Sequence, residues 1–122
     1  MTFAKWTFTL GGVWGLLIVG PMLFLEGWIA ANDRGPVAYP ETYYGFVGSV
    51  LVWQLVYLTI GRDPQRFRPL MPLAMLAKLA FGVAVWTLYA TGRTPLNIAV
   101  VATPDLILAA LFAVAWRKTK PA

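Results

Sequence analysis

The chain contains no cysteine and no histidine. Without cysteine there are no disulfides, thiolate metal sites or thiol nucleophiles. Without histidine it lacks the commonest metal ligand and the usual acid–base group near neutral pH. Charge is also scarce. Asp, Glu, Lys and Arg make up 12% of the 122 residues, about half the roughly 25% of an ordinary soluble domain. Hydrophobic residues make up 59%, which excludes a disordered segment. No cofactor or metal is expected.

The few charges are unevenly placed. Trp6–Ile29, Thr42–Gly61, Leu70–Ala90 and Pro95–Trp116 together hold only Glu26, Lys78 and Asp105. Each stretch has at least 20 residues, the length needed to cross a hydrocarbon core of roughly 30 Å. Their apolar runs are continuous, with neither the polar face of a surface helix nor the alternation of a membrane barrel strand. Lipid offers the backbone no hydrogen-bond partner, so these stretches are predicted to be α-helices. The expected fold is all-α: one integral membrane domain over residues 1–122, a four-helix bundle of up-down antiparallel topology. Asn32–Pro36 with Tyr39–Glu41, Gly61–Pro64 and Thr91–Pro95 supply the breaks.

Lys5, Arg62, Arg66, Arg68, Arg117, Lys118 and Lys120 gather at one end, whereas Arg34 and Arg93 lie at the other. This bias predicts an inner-membrane protein with both termini cytoplasmic. It also accounts for the net charge of +5 without nucleic acid. Trp6, Trp28, Tyr43, Tyr44, Tyr89 and Trp116 sit at span ends, where amphipathic rings prefer the interface. Lys5, the apolar run and Ile29-Ala30-Ala31 have some features of a cleaved secretory signal. The long run, and Glu26 and Trp28 near the would-be cleavage site, favour a spanning helix.

Ionisable groups inside a bilayer need a partner or a purpose. Lys78 lies about 12 Å and Asp105 about 16 Å from the basic end, at a rise of about 1.5 Å per residue. They are expected to pair, with Gln54 as a hydrogen-bond partner. The pair reads either as an interhelical clamp or as the lining of a polar cavity. Glu26 is expected near the far end of the first helix, reaching the headgroups or an outward cavity. Pro21 and Pro104 each free a carbonyl one turn earlier. Arg62, Arg66 and Arg68 are expected to contact anionic phospholipid headgroups. The small-residue pairs Gly11/Gly15, Gly45/Ser49, Ala80/Ala84 and Ala109/Ala113 allow close helix approach. They serve either the bundle or a contact with a second protomer or membrane-complex partner.

Tyr43-Tyr44-Gly45-Phe46-Val47-Gly48, Gln54, Arg62-Asp63-Pro64 with Arg66 and Arg68-Pro69, Lys78 and Pro104-Asp105 resemble a group of short, uncharacterised bacterial membrane proteins with four helices. In size and layout the chain is more loosely similar to DoxX-like proteins. The resemblance implies the fold and an inner-membrane location and carries no catalytic residue. Three functions remain open. The first is a structural or accessory membrane protein holding a buried Lys78–Asp105 pair, and it is preferred. The second is an oligomeric small-solute or proton-coupled transporter or channel. The third is a lipophilic-ligand-binding or isomerase-like bundle using carboxylates. A non-enzymatic role is favoured.

Overall fold

The computed structural model describes residues 2–32 and 35–121. Asp33 and Arg34 of the first loop, with its expected basic residue, lie outside them. Among the described residues five α-helices follow in chain order: α1 (Thr2–Val19), α2 (Glu26–Asn32), α3 (Pro40–Arg62), α4 (Met71–Ala90) and α5 (Leu96–Lys118). Single 3-10 turns lie at Gly20–Leu23 and Arg68–Leu70. With those turns, four segments are long and apolar enough to cross a bilayer. The chain is a multi-pass membrane protein built as an all-α four-helix bundle. Its exterior agrees with that solvent, since Leu17, Val52, Leu76 and Ile107 are all more than half exposed.

The first span differs from the continuous helix expected over 6–29. It ends as an α-helix at Val19 and tightens into the 3-10 turn at Gly20–Leu23. Pro21 has no N–H to donate to Leu17, and its ring crowds that carbonyl. Glu26 therefore begins a separate short helix instead of lying near the end of the first. The other boundaries follow the local chemistry. Pro40 occupies the first turn of α3, where its missing N–H costs nothing. Gly92 adopts φ +77°, and the N–H groups of Arg93 and Gly92 donate to the carbonyls of Leu88 and Tyr89. This is a Schellman termination of α4. After α3, the Arg66 N–H donates to Asp63 Oδ1 at 3.3 Å and shapes the turn toward α4.

The helices pack as two tight pairs, α1 on α3 and α4 on α5, joined mainly where α1 touches α5. Glycine makes both pairs close. A side chain at Gly12 would meet the Gln54 carbonyl and Leu58, and one at Gly61 would meet Thr9. Leu106 fills the space beside Gly82. Gly11 and Gly15 are also buried, so this small-residue pair serves the bundle. Gly45 and Gly48 instead have open space where a Cβ would stand, and Ser49, Ala80 and Ala84 are exposed.

The half containing the termini holds the larger buried cluster. Phe8 stacks on Phe112 at 4.2 Å between ring centres, and Tyr57 lies 5.1 Å from Phe112. Ala4, Ile60, Met71, Ala74 and Ala115 complete this cluster. In the opposite half the buried cluster is small: Val85, Ala99 and Ala102, from α4 and α5 only.

Gly61→Val places branched atoms against the α1 backbone and should cost about 1–3 kcal/mol. Gly45→Ala, which meets nothing, should stay within about 0.5 kcal/mol of the parent. Unfolding of the two variants in one detergent reads the difference directly.

Candidate functional site

The loose half of the bundle contains a partly open cavity of about 480 Å³. All four long helices line it: Gly15 and Ile18 from α1, Val50 and Gln54 from α3, Lys78 and Phe81 from α4, Val101 and Asp105 from α5. Tyr57 and the Lys78–Asp105 pair meet it near mid-span, above the packed aromatic cluster. Toward the far end it reaches Met22, Phe46 and Ile98. The walls are mostly aliphatic and aromatic, and Lys78 and Asp105 are the only charged residues among them.

Lys78 Nζ lies 3.2 Å from Asp105 Oδ1, forming a hydrogen bond and an ion pair between α4 and α5. The Lys78 ammonium also stands 5.2 Å from the centre of the Tyr57 ring. That contact adds a cation–π attraction where water is largely excluded. Burial of the two partners is unequal: the Lys78 side chain is 6% exposed and that of Asp105 25%. Both residues line the cavity, and the carboxylate is the less covered of the two. Pro104, the preceding residue, sits inside a helix that continues through it. One position earlier, Thr103 accepts a hydrogen bond from Trp86 Nε1 at 3.2 Å. This second link between α4 and α5 lies within half a turn of Asp105.

Gln54 reaches the same cavity but does not bond to the ion pair, contrary to expectation. Its Nε2 donates to the Val50 carbonyl of its own helix at 2.9 Å. Its carboxamide occupies the room that a side chain at Gly15 would need. Gln54 is 1% exposed, and its Oε1 has no hydrogen-bond partner among the described residues. An unmatched buried acceptor of this kind is uncommon.

Glu26 stands apart from this cavity. It accepts a 2.7 Å hydrogen bond from the Tyr44 hydroxyl, while Tyr43 donates to the Met22 carbonyl at 2.6 Å. These bonds fasten the Pro21 turn and the start of α2 to the first turns of α3. The three arginines also separate. Arg62 and Arg66 are exposed beside Asp63, whereas Arg68 is half-buried. The Arg68 Nε donates to the Thr119 carbonyl at 2.7 Å, and its guanidinium lies 4.7 Å from the Trp116 ring centre. Arg68 thus holds the C-terminal end of α5.

Sequence reasoning missed Tyr57 and Trp53 as lining residues. The signal was present: Tyr57 follows Gln54 by one helical turn and lies inside its span, away from the interfaces where the other tyrosines gather. No family model, curated protein or solved structure matches the chain. The site is therefore read from its own geometry. No group of three or more acidic residues capable of holding a metal occurs among the described residues.

If the ion pair supports the bundle, removing one partner leaves an uncompensated charge and should cost about 3–5 kcal/mol. Lys78→Met combined with Asp105→Leu should recover most of that loss. A double-mutant cycle of unfolding measures the coupling. Single variants as stable as the parent would exclude a structural role for the pair.

Proposed function

We propose that the chain is a membrane-embedded binding protein for a lipophilic small molecule, held with its apolar body in the bundle cavity and its polar end at Lys78–Asp105. The observation that carries this reading is the partly uncovered Asp105 carboxylate facing a cavity of about 480 Å³. That volume lies within the roughly 300–1,000 Å³ of small-molecule sites, which are mostly apolar with a few convergent polar groups. A purely structural pair would need no cavity beside it. The packed Phe8–Tyr57–Phe112 cluster stands between the pair and the terminal end, which favours binding over conduction across the bundle.

The charge bias orients the molecule in this account. The basic end, with both termini, faces the cytoplasm of an inner membrane, and the cavity lies in the outer half. Arg62 and Arg66 contact anionic headgroups, while Arg68 is engaged by Thr119 and Trp116.

Nile red, a neutral lipophilic fluorophore, tests the reading with the full chain in lipid nanodiscs. A saturable component, absent from empty nanodiscs, is expected. Ala77→Trp, which fills the cavity from α4, should weaken it at least ~10-fold, a loss of about 1.4 kcal/mol or more. Signal that rises linearly and matches empty nanodiscs would contradict the proposal.

A further inference from the structure

We infer that the molecule bound here is a neutral lipophile whose polar end is a hydroxyl group. The inference rests on the binding function proposed above and narrows the class of ligand. Its basis is the hydrogen-bonding capacity left unused at the cavity's mid-span end. Lys78 Nζ carries three N–H donors, one of which goes to Asp105 Oδ1 and none to another acceptor among the described residues. Asp105 Oδ2 accepts no bond from any described residue. Unused donors and acceptors therefore occur together.

The four kinds of polar end differ in what they leave behind. A hydrocarbon satisfies none of these groups. A ketone or ether accepts from Lys78 and leaves Asp105 Oδ2 unmet. A carboxylate or ammonium brings a third charge to a pair that is already neutral, in a place where an unpaired charge is costly. A hydroxyl both donates and accepts: it accepts from Lys78 Nζ and donates to Asp105 Oδ2 without changing the charge of the site. The rest of the wall, with Val50, Trp53, Phe81 and Val101, suits a ring or branched hydrocarbon body.

Three compounds sharing one ring separate these cases: 2-naphthol, naphthalene and 2-naphthoate. Binding is measured by equilibrium dialysis of the full chain in nanodiscs at neutral pH, with uptake by empty nanodiscs subtracted. The expected order is 2-naphthol tightest by ~10-fold over naphthalene, a ratio set by matched against unmatched buried polar groups, with 2-naphthoate weakest. The Lys78→Met/Asp105→Leu double variant should still bind naphthalene and lose the preference for 2-naphthol. Naphthalene binding as tightly as 2-naphthol, 2-naphthoate binding tightest, or a preference that survives the double change would each overturn the hydroxyl assignment while leaving a ligand cavity in place. Absence of saturable binding by all three would overturn both this inference and the function on which it rests.

Discussion

A backbone surrounded by lipid has to satisfy its own hydrogen bonds, and most features of this molecule follow from that constraint. It makes the four apolar stretches helical, and the breaks fall where the chain can re-satisfy freed groups. At the Pro21 break, the Phe24 N–H donates to the Pro21 carbonyl and the Tyr43 hydroxyl to that of Met22. At Gly92, the positive φ allows the last carbonyls of α4 to be reached from Gly92 and Arg93. The same constraint governs the side chains: Lys78 meets Asp105, Trp86 meets Thr103, and Thr59 and Thr103 donate back to carbonyls of their own helices. Gln54 Oε1 is the exception among the described residues, and it lies against Gly15.

Lipid supplies little hydrophobic force between helices, so close contact depends on small residues and shape. Gly12, Gly15 and Gly61 draw α1 and α3 together, and Gly82 draws α4 toward α5. The two pairs are then wedged against one another at one end by Phe8, Tyr57 and Phe112. At the other end the bridge across α3 and α4 is lighter, with Phe46 5.5 Å from Phe81 between ring centres. Space remains between the pairs there, lined but not filled by Phe46, Trp53 and Phe81. The ion pair stands at the boundary, which explains why one partner is sheltered and the other partly open.

The fold was largely legible because it depends on run length and charge placement, which are properties of the sequence alone. Three of the four spans lie close to the expected positions. The first span was harder: Pro21 was visible as a kink, but the bonds that fasten the broken helix come from Tyr43 and Tyr44, 21 and 18 residues from their acceptors. The Lys78–Asp105 pairing was legible from depth, since both residues stand at similar distances from the basic end. Their surroundings were not. Whether that pair is dry depends on how far α3 and α4 separate, and helix spacing is set by contacts such as Gly12 on Leu58 that no local pattern announces. Gln54 shows the same limit, because its rotamer is chosen by the space at Gly15 rather than by the nearest charge. The exposed Gly45 and Ala80 faces show that small-residue spacing does not say which neighbour, if any, a helix meets.

The bundle holds a cavity between its helix pairs in one half and a packed aromatic cluster in the other. The natural absence of cysteine allows a direct measurement. Single cysteines at Val50, which lines the cavity, and at Ala74, in the aromatic half, are exposed to N-ethylmaleimide in the folded protein and again after denaturation. Val50→Cys is expected to react in the folded state and Ala74→Cys only once the bundle is unfolded. Equal protection of both positions would contradict it.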